Sequence, residues 1–203
     1  MTFVLASGSP RRRELLSRFG LPFAVVPGRS AERAPMPGED PADYALALAG
    51  DKVAEVSIRC SDDAVILGAD TVVSVDGVIL GKPADAGDAA RMLSMLRGRA
   101  HTVVTSVVVR CGTDHTGSVA SEVVMRDFTD AELETYVATR EPMDKAGAYA
   151  VQGLGGRLVA AVHGCKENVI GLPLCLTYEL LLSCGLLEEL PPDACCTHDE
   201  EKS

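Results

Sequence analysis

Residues 3–16 read FVLASGSPRRRELL, an apolar run, a small-residue turn and a helix start in fourteen positions. Phe3–Ala6 alternate too little for a half-exposed strand and suit a buried one. Ser9 followed by Pro10 is a helix opening, cap and then first position, and Gly20 closes the helix. Strand, tight turn, helix is the first unit of an α/β fold. Its first turn is unusual. Arg11 and Arg12 occupy positions where the free backbone N–H groups already carry partial positive charge, and a cation there costs about 0.3–1 kcal/mol. A bound anion reverses that sign, because it accepts bonds from the N–H groups, from Ser7 and Ser9 and from a guanidinium fork. Successive helical residues point about 100° apart, so the three arginines cannot all face one ligand. Arg12 is favoured, with Arg11 or Arg13 beside it or turned to solvent. The alternative is a solvated basic patch paired with Glu14.

The pattern continues outward from there. PFAVVPG is a second strand, and residues 29–40 form a loop rich in proline and charge. Asp40 then Pro41 starts a helix that runs to about Arg59. AVILGADTVVSVDGVILGKP reads as two strands joined at Asp76-Gly77, a hairpin turn. DAGDAARMLSMLRG is a helix, and HTVVTSVVVRCG and SVASEVVMRDF are long antiparallel strands around a loop near Gly117. Thr129 with Glu132 is a capping box, opening a helix over TDAELETYVAT. A glycine-rich stretch, DKAGAYAVQGLGG, leads to an apolar segment ending at Val162, and GLPLCLTYELLLSCG is the last helix. Residues 191–203 are polar and aperiodic, which predicts a disordered tail. The expectation is a single domain over 1–190 with a mixed sheet flanked by helices.

Composition bounds the function. The chain has 203 residues and a formal charge of −10. That balance speaks against a nucleic-acid partner while leaving room for a small phosphate ligand held by locally gathered cations. No apolar run is long enough to span a bilayer and no secretory signal pattern opens the chain, so a cytoplasmic, membrane-free protein is expected. Seven cysteines, an odd and scattered set, fit a reducing compartment. Cys175 and Cys184 read as small core residues in the last helix.

Three positions are chemically out of place. Lys52 lies seven residues after Ala45 on the apolar stripe Ala45, Leu48, Ala49, Val53, Val56. It either snorkels to the edge or points into a cleft. Asp70 interrupts VILGADTVV, and a lone buried carboxylate costs several kcal/mol unless paired, hydrogen-bonded or metal-bound. It either caps a turn at a strand end or faces a cleft, where it can bind a divalent cation or take a proton from water. The hairpin at Asp76-Gly77 folds Lys82 back towards it. Glu32 on its own is an ordinary loop glutamate. Gln152 carries an amide able to read a base edge or to bond nearby backbone. No GxSxG or GxxxxGK[ST] is present, so serine-hydrolase and P-loop chemistry have no support.

The stretches SGSPRRRELL, LAGDKVAE, GADTVV, GKP, HTVVTSV, EPMDKAGAYAVQG and NVIGLPL, in this order from residue 5 to about 174, resemble the Maf family of nucleoside triphosphate pyrophosphatases. The resemblance implies an elongated α/β fold like that of inosine triphosphate pyrophosphatase, a cleft between two lobes, and frequent homodimers. It implies hydrolysis of a nucleoside triphosphate to monophosphate and pyrophosphate with a divalent cation, Mg²⁺ or Mn²⁺. Carried over by position, Asp70 is the general base and Ser7, Ser9, Arg12, Lys52 and Lys82 form the phosphate-binding set, with Arg13 adjoining. Glu32 is the acidic cleft residue and, with Asp70, a metal ligand. Arg12, Thr71 and Gln152 match the branch that handles dTTP and UTP. The sequence departs from the family at Ala31, where an aspartate is usual, and in GCKENV, where a tyrosine-containing version is usual. Two competing functions are a sugar-nucleotide transferase, whose loop is richer in glycine, and a non-catalytic nucleotide-binding regulator of cell division.

Overall fold

A computed structural model describes residues 2–29 and 32–189; Ala31 and the tail expected over 191–203 lie outside the described residues. The opening unit forms as its sequence dictates. β1 (Phe3–Leu5) leads into α1 (Pro10–Ser17), and the Ser9 side chain caps that helix by accepting from the Arg12 N–H. β2 (Ala24–Val25) returns parallel to β1. α2 (Pro41–Ser57) starts at Asp40, whose carboxylate accepts from the N–H groups of Ala42 and Asp43. β3 (Val65–Val75) and β4 (Val78–Leu80) form the hairpin, with Asp76 and Gly77 both at positive φ, as its two-residue turn requires.

α3 (Ala86–Leu96) precedes the long pair β5 (Ala100–Cys111) and β6 (Thr113–Met125). The turn between them is Gly112, at φ 87°, and not Gly117 as the sequence suggested. Gly117 lies inside β6 opposite Val107. A Cβ there would come within 2.6 Å of Leu176 Cδ1, so this glycine admits a helix rather than a turn. α4 (Asp130–Ala138) carries the full Thr129–Glu132 capping box. Three 3₁₀ turns over Glu141–Asp144, Ala146–Ala148 and Leu154–Leu158 lead to β7 (Val159–His163). α5 (Lys166–Ile170), which the sequence pattern did not disclose, precedes α6 (Leu174–Ser183).

Among the described residues the seven strands make one mixed sheet, ordered β2-β1-β3-β5-β6-β7, with β4 also on β3. Alternation along β3 sorts its neighbours. Val65, Leu67 and Ala69 join α1 and α6 residues in one core, and Val73 and Val75 join α3 and α4 residues in a second. On the opposite face Ile66 and Val72 pack under α2. The long strands carry both cores, one towards each end of the sheet. Cys184, at the end of α6, is not a lone core thiol: it is disulfide-bonded to Cys111 at the end of β5. Cysteine usage therefore says nothing about compartment here. Among the described residues no helix is long and apolar enough to cross a membrane.

Candidate active site

The sheet register creates the opening. β1 and β4 flank the same edge of β3, but β1 stops pairing at Leu67 and β4 begins at Val73. Among the described residues, no strand pairs with residues 68–72 on that side. Asp70 sits in the middle of this gap, mid-strand and not at a strand end, and is only 6% exposed. A cavity of about 940 Å³ surrounds it, bounded by the Ser7–Arg12 turn, α2, Gly81-Lys82 and residues 143–151. That volume suits a nucleotide-sized ligand.

Side chains reach the gap from both faces of the sheet. Even-numbered residues of β3 face α2, and there Lys52 Nζ donates to Asp70 Oδ1 and meets Glu32 Oε1 at 2.8 Å. Lys82 Nζ meets Glu32 Oε2 at 3.2 Å. Burial raises the Glu32 carboxyl, but the ammonium groups of Lys52 and Lys82 outweigh it and hold its pKa below the usual carboxylate range. The Lys52–Asp70 contact depends on how near α2 comes to β3. Gly68 permits this: a Cβ would lie 2.6 Å from Val53 Cγ2 and 2.8 Å from the Ala49 carbonyl oxygen.

Odd-numbered Thr71 points the other way, to α1. Arg12 donates from Nη2 to Thr71 Oγ1 at 3.0 Å, from Nε to the Gly171 carbonyl at 2.8 Å and from Nη1 to Ser7 Oγ at 3.3 Å. Thr71 is backed by Thr105 at 2.9 Å, whose hydroxyl donates to the Asn168 carbonyl at 2.8 Å. α5 thus serves to brace the arginine. Burial pulls the Arg12 pKa down, against the charges of Asp70 and Glu32, which raise it. Ser7 Oγ also accepts from the Ser9 N–H at 3.3 Å.

The structure therefore brings Ser7, Ser9, Arg12, Glu32, Lys52, Asp70, Thr71 and Lys82 to one cavity. Two residues singled out in the sequence stand elsewhere. Arg13 is exposed on the outer side of α1, and Arg11 lines the cavity in its place, as the 100° step per residue demands. Gln152 is exposed in the turn just beyond Val151, the last wall residue on that side.

Lys145 and Tyr149 were not read from the sequence as site residues, yet both line the cavity. The signal was available in DKAGAYA, a lysine and a tyrosine beside a glycine. Gly147 holds φ +65°, and its missing Cβ leaves room for Val73. The turn beyond is pinned by Glu141, which accepts from Tyr136 OH and from the Leu154 and Gly155 N–H groups, each at 3.0 Å. Tyr149 OH pairs with buried His101 Nε2 at 2.7 Å, and burial holds His101 down to about 4.

A chain-long comparison decides the family, since the model of the Maf-like proteins matches residues 2–184. The chain belongs to the Maf family. Among curated Maf relatives, a protein of Anaeromyxobacter dehalogenans named dTTP/UTP pyrophosphatase is 49% identical over 187 residues, covering 90% of this chain and 93% of that one. A protein of Thermococcus kodakarensis with the same name is 45% identical over 178 residues, covering 87% and 94%. Among solved structures, a nucleoside-triphosphatase/dITP/XTP pyrophosphatase from Mycobacterium abscessus is 18% identical, with a TM-score of 0.40 over 63% of this chain and 74% of that one.

Proposed function

We propose that this Maf protein is a nucleoside triphosphate pyrophosphatase acting on dTTP, UTP or related pyrimidine nucleotides. It hydrolyses the α–β anhydride to release monophosphate and pyrophosphate. The observation that carries the reading is a buried carboxylate, Asp70, in a nucleotide-sized cavity ringed by Arg11, Arg12, Lys52, Lys82 and Lys145. The same lining carries five carboxylates, Glu32, Asp51, Glu55, Asp70 and Asp144, so cations that can bind phosphate stand beside acids that can hold a divalent ion. The names of the relatives support the substrate class.

Asp70 takes the proton of the attacking water, whose oxygen bonds to the α phosphorus as the α–β bridging bond breaks. Lys52 fixes the orientation of that carboxylate through the Nζ–Oδ1 bond. Arg12, Lys82 and Lys145 stabilise charge on the departing pyrophosphate. The Arg12 guanidinium has two N–H bonds left over after its three protein acceptors, available for a phosphate. The hydroxyls of Ser7 and Ser9 and the free N–H groups at the start of α1 add donors on the same side. Gln152, exposed in the turn next to Val151, is the residue we assign to the base.

The cavity also fits a divalent cation. Glu32 and Asp70 converge on one ammonium, which places two hard oxygen donors together, and among the described residues no Cys or His lines the wall. Mg²⁺ or Mn²⁺ is held in this way, by one or two carboxylates plus substrate phosphates. When bound, the ion offsets charge on the phosphates, and Asp70 and Glu32 would hold it.

The deciding experiment measures pyrophosphate release across ordinary and modified nucleoside triphosphates, with and without Mn²⁺. Release from dTTP and UTP well above that from purine nucleotides is expected. Tight nucleotide binding with no pyrophosphate would replace catalysis with a regulatory binding role. Sugar nucleotide made from a sugar phosphate would point to the transferase.

A further inference from the structure

Away from the cleft, at the far end of the β5–β6 hairpin, a second cluster has chemistry that the proposed hydrolysis does not use. Cys111 is the last residue of β5, and the register pairs it with Thr113 and pairs Val109 with His115. Opposed residues share a face and residues two apart along a strand share it too. Cys111 and His115 therefore project on the same side as Val109, the side that faces α6. Cys184 caps the C-terminus of α6 and arrives on that side. One ligand atom from each of Cys111, His115 and Cys184 lies within 4.8 Å of the others, and all three residues are half-buried. A hydroxyl partner is in place beside the ring, Thr113 Oγ1 meeting His115 Nε2 at 3.4 Å, a contact of the kind that orients ligating imidazoles.

We propose that Cys111, Cys184 and His115 are a thiol-gated site for a soft divalent metal ion of the Zn²⁺ class. In the dithiol form the two sulfurs and the imidazole supply three ligands of a tetrahedral shell, and partial exposure leaves the fourth position to water. Zn–S and Zn–N bonds of about 2.3 and 2.0–2.1 Å span a donor cluster of this size with small side-chain adjustments. In the disulfide form the sulfurs are consumed by each other and the site is closed. The donor set separates this site from the cleft, whose described lining residues include no cysteine or histidine.

The chemistry balances with a named reductant. A water-soluble phosphine breaks the Sγ–Sγ bond and becomes its oxide with an oxygen from water, leaving two thiols. The metal then displaces their two protons. Since the bridge joins residues 73 apart in sequence, the ion would replace one clasp between the hairpin and the last helix with another.

The test uses the full chain and Co²⁺ as the probe. After phosphine reduction, Co²⁺ is expected to produce the intense near-ultraviolet thiolate-to-cobalt band, bleached by added Zn²⁺. The oxidised chain should show no band. Cys111→Ser and Cys184→Ser should each abolish it, and His115→Ala should weaken Co²⁺ binding at least tenfold. His115→Ala leaves the disulfide partners intact, so it reads the site even where a cysteine variant folds poorly. Absence of the band in the reduced chain overturns the proposal. So does a band that survives Cys111→Ser but vanishes in Cys195→Ser/Cys196→Ser. Oxygen donors in the cleft give no such band, so failure here leaves the proposed hydrolysis untouched.

Discussion

Asp70→Asn removes one negative charge and leaves shape almost unchanged. Two quantities follow from the geometry, and they diverge. A positioned general base is worth about 10²–10⁴ in rate, so kcat for pyrophosphate release should fall at least 100-fold, about 3 kcal/mol or more of barrier. Stability should hardly move. Breaking a buried ion pair by deleting one partner costs about 3–5 kcal/mol when it strands the other charge. Lys52 is not stranded, because Glu32 Oε1 remains 2.8 Å away and the lysine side chain is 19% exposed. The asparagine oxygen can still accept from Nζ. A loss of about 1 kcal/mol is expected, a Tm drop of about 2–4 °C for a chain of this size. The assay pairs saturating turnover of dTTP in Mn²⁺ with a thermal melt of the same preparations. Retention of more than a few per cent of kcat refutes the assignment of Asp70 as base. A Tm drop beyond about 10 °C refutes the claim that Glu32 shelters Lys52, and any loss of turnover would then report unfolding.

Gly68→Ala touches no proposed site residue but forces α2 off β3. Overpacking of this kind costs about 1–3 kcal/mol, and turnover should drop along with Tm, whereas Gly50→Ala, inside α2 with nothing near its Cβ, should leave turnover unchanged and add about 0.5–1 kcal/mol of stability. Glu32→Gln should raise the Mn²⁺ concentration needed for half-maximal rate about tenfold and lower kcat less than Asp70→Asn does; an unchanged Mn²⁺ titration removes Glu32 from the metal. His101 is held neutral by burial, with a pKa near 4 against 6.5 for the free side chain. Its depressed value means that the unfolded chain takes up a proton first. Its contribution is complete above about pH 6.5, falls as pH drops towards 4, and is constant below that, a loss of about 3 kcal/mol. Chemical denaturation of the native protein and of His101→Gln from pH 7 to 4 should show the difference between them shrinking by that amount.

Local chemistry was legible where one residue acts on its own neighbours. Ser9, Asp40 and the Thr129–Glu132 pair announced their helices, and Asp76-Gly77 announced its turn, because each satisfies backbone groups only a few positions away. Asp70 and Lys52 were legible as violations, a charge inside an apolar run and a charge on an apolar stripe. What stayed hidden was set by distant parts of the chain. Gly117 signals a turn by type, but Leu176 decides its place in a strand. Cys111 and Cys184 reveal their bond only when α6 lies on the hairpin. Arg11 and Arg13 are equivalent in the sequence until Thr71 and Gly171 fix the rotation of Arg12. Lys145 enters the cavity only because the turn at Gly147 brings it there, and Gln152 is left exposed in the turn beyond Val151.

The guanidinium of Arg12 is fastened from behind by Thr71, Ser7 and the Gly171 carbonyl before any ligand arrives. A long side chain on a surface would have to stop wandering to greet an anion; this one has already stopped. Recognition is then a matter of template rather than of pursuit. In the proposed function, a guest whose charges are spaced differently cannot coax the arginine towards itself without tearing it from three anchors on three separate segments, so discrimination against misfits is inherited from the scaffold.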